Sequence, residues 1–435
     1  MSKKNILFIG FMLFSLFFGA GNLIFPPFLG LESGTNFAPA IVGFLITGVL
    51  LPFMAIIAIA LSDNGLLSMG NRVHKVFGMI FAIIIYMSIG AFYGIPRASN
   101  VAYELGFKQI VQVSGSLPLL IFSLLFFGLT YYISLNPKKI VDRIGQFLTP
   151  ILLLVLGVLV VQAFIKFDNI SSAPVEDYAS SPFVNGFLEG YFTMDAVAAL
   201  AFGIVVVNAL KDKGSKSKSE LIKGTLGAGF IASIGLAIVY FSLGWIGKVI
   251  PKETTFENGA DVLTEAASIL FPSGGGLLFG IIVILACLTT CVGLINACSR
   301  FFNEIYPKLS YQAYVAIFVV VGLLVSNLGL NAILALATPL LVFIYPIAIV
   351  LVILSLLQHI VGGGKMMYRF AIFITFFFAL YEVFTTTGFS LDRVTERLNM
   401  IPFFEYGLGW VVPAFVAALA GYILDTFSKQ ENKSQ

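Results

Sequence analysis

The sequence predicts an all-α membrane protein with about twelve transmembrane helices, of which the first and the sixth are interrupted. Of its 435 residues, 59% are hydrophobic and only 11% are charged. In soluble domains about a quarter of the residues are charged. The apolar runs are long enough for spanning helices, and the alternating pattern of a β-barrel does not appear in them. Two of the runs contain residues that interrupt a helix or place a charge within it.

Hydropathy and turn signals divide the chain into twelve spans in one membrane domain, residues 1–435. A polar stretch over 248–272 is too hydrophilic to span, but its DVLTEAASILF segment has helical periodicity and predicts a short helix. The predicted spans are 5–29, 37–61, 77–94, 117–135, 144–165, 187–210, 221–246, 276–302, 313–328, 332–357, 368–386 and 403–424.

The distribution of lysine and arginine predicts that both termini are cytoplasmic. With the N-terminus inside, the inner segments carry 18 of the 25 basic residues and the outer segments carry 7. Cytoplasmic loops of membrane proteins are enriched in these residues. Adding or removing one span would invert every later loop and weaken this asymmetry.

The first span contains the motif FFGAGNLIFPP at 17–27. Gly19, Ala20, Gly21 and Asn22 stand where a helix would continue, and two prolines follow. An interruption at membrane depth is tolerated only where it is buried in protein or lines a cavity, and broken spans mark transporter binding sites. A loop after a short helix, or close helix packing, is the alternative interpretation.

The sixth span carries Asp195 in the sequence GYFTMDAVAALAFG. An acidic side chain within an apolar span is costly and is a candidate for function. Asp195 could meet a cation, a substrate ammonium or a free helix N-terminus, or it could be a structural cap. If residues 5–165 and 187–357 form an inverted repeat of five helices each, followed by two helices over 368–424, the two interrupted spans occupy matching positions.

The eighth span places two adjacent hydroxyls, those of Thr289 and Thr290, in mid-membrane. Such hydroxyls can complete a cage of oxygen ligands around a hard cation such as Na⁺. They can equally bond their own helix carbonyls and allow close helix packing. Near the outer end of the third span, Arg97 and Glu104 form a candidate gate with Glu189 or Glu382, or simply mark the membrane interface.

Three motifs resemble signatures of the bacterial branched-chain amino acid:cation symporters, the BrnQ or system II carriers. They are FGAGNLIFPP at 18–27, PRASNVAYE at 96–104 and GYFTMDAVAALAFGIVVVNA at 190–209. The resemblance extends over residues 4–426. It implies the leucine-transporter fold of the amino acid–polyamine–organocation superfamily, with a five-plus-five inverted repeat and two additional helices.

The resemblance also implies which residues bind the ligands. The break in the first helix would bind the substrate carboxylate through Gly19, Ala20, Gly21 and Asn22. A break over 195–203 in the sixth helix would receive the substrate ammonium, through Asp195, Ala199, Phe202 and Gly203. A Na⁺ site between helices one and eight would take its oxygens from Ser15, Phe18, Ala286, Thr289 and Thr290.

We therefore expect a secondary active transporter of the bacterial plasma membrane that imports leucine, isoleucine or valine with Na⁺ by alternating access. A proton-coupled symporter of the same fold is the first alternative, with Asp195 as the titrating group. A channel and a membrane-embedded enzyme are alternatives of other classes, and the spans show no nucleophile–base pair or metal cluster. No cofactor, nucleic acid or obligatory protein partner is expected besides the lipid bilayer.

Overall fold

The computed structural model describes residues 2–62, 65–111, 115–139, 141–251, 256, 258–362, 364–389 and 391–434. Within these residues the chain is helical and contains no β-strand. Backbone groups in hydrocarbon must be satisfied within the segment, which is why apolar runs of this length fold as helices. The α-helices are α1 (Lys3–Phe17), α2 (Ala20–Ser33), α3 (Phe37–Leu45), α4 (Leu51–Leu61), α5 (Gly65–Asn71), α6 (Lys75–Met87), α7 (Gly94–Val101), α8 (Lys108–Val111), α9 (Ser116–Ser134), α10 (Thr149–Lys166), α11 (Glu176–Ser180), α12 (Pro182–Tyr191), α13 (Asp195–Asp212), α14 (Lys218–Val249), α15 (Gly259–Leu270), α16 (Gly275–Ile305), α17 (Tyr311–Ser326), α18 (Leu330–Val361), α19 (Lys365–Thr386), α20 (Asp392–Leu398) and α21 (Val411–Ser434).

Wider π-helical turns continue or precede several of these helices. They cover Ile46–Leu50 between α3 and α4, Ser88–Phe92 after α6, Ala102–Phe107 between α7 and α8, and Val141–Leu148 before α10. The turn after α6 contains Gly90 in a non-helical conformation (φ −87°, ψ −113°). The third predicted span therefore bends there and continues as α7.

In the described part of the chain, nine helical segments are long and apolar enough to cross a membrane, or ten if the bent pair α12–α13 counts as one. The prediction of a multi-span helical protein is confirmed, whereas the count of twelve stays a prediction. The difference has local causes. α1 stops after 15 residues, and α17 has only 16. The segment Ala20–Leu61 counts as one although it turns at Gly34, whose φ is +48°.

The centre of the molecule is formed by α1, α13 and α16, which contact one another. In α16, 72% of the most apolar stretch is buried, against 11% in α21. α14 packs along α1 and α2, while α19 and α21 pack on each other at the side of α18. A helix that is apolar all round and buried belongs to the core, so α16 is a central helix and α21 a peripheral one.

The short helix predicted within the polar stretch is confirmed as α15. Asn258 caps it, because its Oδ1 accepts hydrogen bonds from the backbone N–H groups of Ala260 (2.8 Å) and Asp261 (3.2 Å). The helix packs on α2, α10 and α16. Residues 252–255 and 257 of the same predicted stretch lie outside the described residues.

Candidate functional site

The first predicted span is broken at Phe18 and Gly19, between α1 and α2. Gly19 has extended backbone angles (φ −120°, ψ −156°). Its N–H donates to Asn22 Oδ1 at 3.0 Å. In a continuous helix the same N–H would donate to the carbonyl of Ser15, four residues earlier. The break therefore leaves the Ser15 carbonyl at the end of α1 without that backbone donor.

The break also creates a new helix N-terminus in the middle of the protein. The first N–H groups of a helix have no intrahelical acceptor, and this end carries partial positive charge. In α2 these groups belong to Ala20, Gly21, Asn22 and the residue after them. Two of the residues in this region are glycines, which have no side chain to shield these N–H groups from a small anion.

A second break separates α12 from α13, and the two helices meet at an angle of 42°. The non-helical residues are 192–194, and Met194 has left-handed backbone angles (φ 67°, ψ 9°) that are uncommon for a residue other than glycine. The backbone N–H of Asp195 points toward Thr193 Oγ1 at 3.5 Å. The break predicted over 195–203 thus lies before Asp195, and 195–203 itself is regular α-helix.

The two breaks are joined by three buried side chains. Asn22 Nδ2 donates to Asp195 Oδ2 at 2.6 Å and also contacts the hydroxyl of Tyr240, which lies on α14. The Tyr240 hydroxyl donates to the same Oδ2 at 2.8 Å. All three residues are at most 3% exposed. Burying a carboxylate costs free energy unless it accepts hydrogen bonds. The bonds from Asn22 and Tyr240 therefore stabilise the Asp195 carboxylate between the two breaks.

A small cavity of about 70 Å³ lies between the two breaks. Its polar lining comes from both breaks, from α7 and from α16, and its apolar lining includes residues of α1, α13 and α16. Phe17 and Phe202 form one wall, with their rings edge to face at 5.5 Å. The lining residues are Leu16, Phe17, Gly19, Ala20, Gly21, Asn22, Ile89, Tyr93, Gly94, Arg97, Ala98, Thr193, Met194, Asp195, Ala198, Phe202, Thr290 and Leu294.

Of the eight residues predicted to bind substrate, six line this cavity: Gly19, Ala20, Gly21, Asn22, Asp195 and Phe202. Ala199 and Gly203 do not. Ala199 is fully buried in the protein core, and Gly203 faces Ile59 of α4, where a side chain would collide. Because α13 is a regular helix after Asp195, one of its faces lines the cavity, through Asp195, Ala198 and Phe202, and its other faces pack against neighbouring helices.

Four of the five residues predicted to bind Na⁺ lie close together. Thr289 Oγ1 lies 3.0 Å from the carbonyl oxygens of Ser15 and Ala286, and Thr290 Oγ1 lies 3.3 Å from the Ser15 carbonyl. A hydroxyl has one hydrogen, so Thr289 can donate to only one of the oxygens around it. Phe18 stacks its ring on Phe14 at 5.4 Å.

The two candidate gate residues, Arg97 and Glu104, have different surroundings. Glu104 binds Lys108 at 2.5 Å, one helical turn further on. Arg97 instead lines the cavity, where Nη1 donates to the Tyr93 hydroxyl at 2.8 Å. The bend at Gly90 and the restart of the helix at Gly94 place Arg97 on the cavity side, which a straight third span did not predict.

Sequence reasoning missed Tyr240, Thr193 and Met194 as part of the site. Tyr240 lies in an apolar run, AIVYFSLG, where a tyrosine commonly packs in the core. Thr193 and Met194 directly precede Asp195, and this proximity was the one feature of the sequence that could have indicated their place in the site. Neither residue type by itself indicates a break in a helix.

Comparison with known proteins identifies the family. A profile described as "Branched-chain amino acid transport protein" matches residues 2–428. The branched-chain amino acid permease BrnQ of Bacillus subtilis (strain 168) is 43% identical, covering 98% of this chain and 99% of the relative. The permease of the same name in Corynebacterium glutamicum is 44% identical, covering 98% and 96%.

Among solved structures, Mhp1, a nucleobase-cation-symport-1 family transporter in a closed conformation with bromovinylhydantoin bound, has a similar fold. The TM-score is 0.58 at 15% identity, with 96% of this chain and 91% of Mhp1 covered. All these relatives are named as permeases or transporters, in agreement with the prediction of a transporter rather than an enzyme. The full-length family match and the identities above 40% show that the chain belongs to the family of branched-chain amino acid transport proteins.

Proposed function

We propose that this protein imports leucine, isoleucine and valine across a bacterial plasma membrane together with Na⁺. The observation that carries the proposal is the cavity between two broken helices, with the N-terminus of α2 and Asp195 in its wall. In transporters, half-helix N-termini at such breaks bind the anionic groups of substrates. Membership in the family of branched-chain amino acid transport proteins indicates branched-chain amino acids as the substrates.

The cavity chemistry suits a zwitterion with an aliphatic side chain. The N-terminal turn of α2 supplies N–H donors for the carboxylate, and Asp195 supplies a negative charge for the ammonium. Leu16, Phe17 and Phe202 offer apolar surface for the side chain. Such a surface distinguishes one methylene by only about 1–3 kcal/mol, so we expect weak discrimination among the three substrates.

Na⁺ is the proposed coupling ion because oxygen atoms converge beside the first break. The Ser15 carbonyl, freed by the break, lies against both threonine hydroxyls. Carbonyl and hydroxyl oxygens are the ligands that hard cations prefer. Since Thr290 belongs to both the cavity wall and this cluster, ion and substrate would stabilise the same arrangement of α1, α2 and α16.

Transport would follow alternating access around a fixed central site. We propose that residues 5–165 and 187–357 are inverted repeats, and that the helices over 368–424 lie outside them with both termini cytoplasmic. The peripheral packing of α19 and α21 supports this division. The excess of basic residues on the proposed inner side supports the orientation.

Proton coupling is the second candidate, and the buried carboxylate favours it. Asp195 is the acidic group that joins the two breaks through Asn22 and Tyr240. A proton delivered to it would weaken its attraction for the substrate ammonium and alter the contact between the breaks. In that case the threonine cluster would have a packing role only.

The experiment is uptake of labelled isoleucine into proteoliposomes of the purified protein, with an inward Na⁺ gradient or an inward proton gradient. Accumulation driven by Na⁺ without a pH difference is the expected result. Accumulation driven by the proton gradient in Na⁺-free buffer would favour the second candidate. If neither gradient drives accumulation, isoleucine import by this protein is refuted; liposomes without protein provide the control.

A further inference from the structure

Arg97 is partly buried and lines the cavity between the two broken helices. It follows the bend at Gly90 in the first turns of α7, and Tyr93, Gly94, Arg97 and Ala98 line the same cavity from this side. Residues three or four positions apart share one face of a helix. The position of the bend therefore carries this guanidinium into the cavity between the two broken helices.

The Arg97 guanidinium is in direct contact with neutral groups. Nη1 donates to the Tyr93 hydroxyl and lies 3.9 Å from Met194 Sδ, while the guanidinium stands 5.2 Å from the centre of the Tyr93 ring. In the described part of the chain, Lys108, Lys213 and Arg300 lie within 4 Å of carboxylates, and Arg97 does not. The Asp195 carboxylate in the same cavity is near enough to interact with this charge, but no carboxylate among the described residues lies within 4 Å of the guanidinium, which leaves N–H groups free to bind an anion directly.

The unused edge of the guanidinium faces the N-terminus of α2. A Cβ atom built on Gly21 would lie 3.5 Å from Arg97 Nη2, so that nitrogen comes within reach of the first turn of α2. Arginine has five N–H donors in a planar fork, and Nη1 has the bond to Tyr93. Nη2 and the N–H groups of this turn are therefore donors available to one carboxylate.

Resting on the proposed function, we propose that Arg97 is a ligand of the substrate carboxylate, which it holds against the N-terminal turn of α2. Asp195 takes the substrate ammonium from the other broken helix. The site then has one positive side chain, one negative side chain and apolar walls, which matches an aliphatic α-amino acid group by group. Charge-assisted bidentate bonds to arginine are stronger and more specific than bonds to neutral donors.

The test compares two ligands on the purified protein at saturating Na⁺ by titration calorimetry. Isoleucine has the carboxylate, whereas isoleucinamide keeps the ammonium and side chain but carries a neutral amide. In Arg97→Gln the affinity for isoleucine should fall about ten- to hundredfold, as expected for loss of a hydrogen bond to a charged group. The affinity for isoleucinamide should stay within about threefold of its original value.

Lys108→Gln is the matched control, because Lys108 is a basic residue that bonds to Glu104 and does not line the cavity. It should leave both affinities unchanged. Arg97→Lys keeps the charge but not the planar fork and should lose isoleucine affinity to a smaller extent. This second variant carries the test if Arg97→Gln does not elute as a single folded species in gel filtration.

Three results would overturn the assignment. Unchanged isoleucine affinity in the Arg97 variants with slower uptake would make Arg97 a gate residue. Equal loss for isoleucine and isoleucinamide would make its role structural. Absence of isoleucine binding by the unmodified protein would refute the proposed function itself, which separates that failure from a failure of Arg97 alone.

Discussion

The two broken helices reach the same site by different local chemistry. The first break uses small residues and places Gly19 in an extended conformation that any residue type can adopt. The second has tyrosine, phenylalanine, threonine and methionine, and it places Met194 in the left-handed region. The first break is thus favoured by the local sequence, whereas the second is imposed on residues that do not favour it.

The comparison also shows that neither break is complete by itself. Asn22 satisfies the Gly19 N–H with its oxygen and reaches Asp195 with its nitrogen. Asp195 begins α13 and accepts bonds from Asn22 and from Tyr240 on a third helix. The first residues of each downstream helix therefore hold the other break in place, so the pair behaves as one structural unit.

The largest effect is expected from Asp195→Asn, which removes the charge shared by the breaks but keeps the side-chain shape. The amide oxygen can still accept hydrogen bonds, whereas the attraction for the substrate ammonium is lost. Loss of one partner of a buried ion pair costs about 3–5 kcal/mol, so isoleucine uptake should fall about a hundredfold or more. Initial uptake rates in proteoliposomes measure it.

Asp212→Asn is its control, since Asp212 lies at the other end of α13, exposed and 3.8 Å from Arg300. Surface pairs contribute about 0–1 kcal/mol, so uptake should change little. Full activity of Asp195→Asn at every pH tested would reduce Asp195 to a structural cap.

The next effect concerns the first break alone. A Cβ on Gly21 would meet Phe25 Cε2 at 3.4 Å and Arg97 Nη2 at 3.5 Å, which are ordinary contacts. Gly21→Ala should therefore bind isoleucine nearly as well, whereas Gly21→Leu should fill the cavity and abolish measurable binding. Equilibrium binding of labelled isoleucine checks both variants.

Gly128→Leu is the matched glycine control, because Gly128 is exposed on α9 with nothing within 4 Å of an added Cβ. It should bind as the unmodified protein does. If Gly21→Leu retained its affinity, the substrate site would not lie at the first break.

A smaller effect is expected where the first break meets the ion cluster. A Cβ on Gly19 would lie 2.9 Å from Thr290 Oγ1 and 3.2 Å from its Cγ2, and β-branched side chains rotate poorly. Gly19→Ala should displace the Thr290 hydroxyl and raise the Na⁺ concentration for half-maximal uptake by about three- to tenfold, the loss of roughly one hydrogen bond. Uptake measured against Na⁺ concentration gives this value.

Thr289→Val removes a hydroxyl of the same cluster and should shift the Na⁺ curve in the same direction. Thr375→Val removes a buried hydroxyl on the peripheral helix α19 and should leave the curve unchanged. If the Na⁺ dependence of uptake were unaltered in both Gly19→Ala and Thr289→Val, the two threonines would have a role in helix packing only.

The sequence could predict the first break and most of the cavity because the signals are local. Gly19, Gly21, Asn22 and the buried charge of Asp195 each have a chemistry that is unusual in a membrane span. The exact position of the second break could not be predicted, since nothing in the residue types at 192–194 favours a left-handed turn. That conformation depends on contacts between distant segments.

Arg97 and the span count show the same limit. Arg97 reaches the cavity because the third span bends at Gly90. Glu104 forms an ion pair with Lys108, one helical turn further along the chain. Helix α1 ends at Phe17, well before the end of the predicted first span. Composition could indicate how much of the chain is membrane-embedded, but bends and helix ends depend on packing.

The smallest effect should come from Met194, where the second break can be compared directly with the first. A left-handed backbone costs an L-residue about 1–2 kcal/mol relative to glycine, and the Met194 side chain also touches Arg97. Met194→Ala removes the side-chain contact and keeps the Cβ, whereas Met194→Gly removes both. The glycine variant should therefore be more stable than the alanine variant, by about 1 kcal/mol or less because glycine is also freer in the unfolded chain. Thermal unfolding of the two purified variants in the same detergent measures the difference, and an alanine variant as stable as the glycine variant would show that the second break is no more strained than the first.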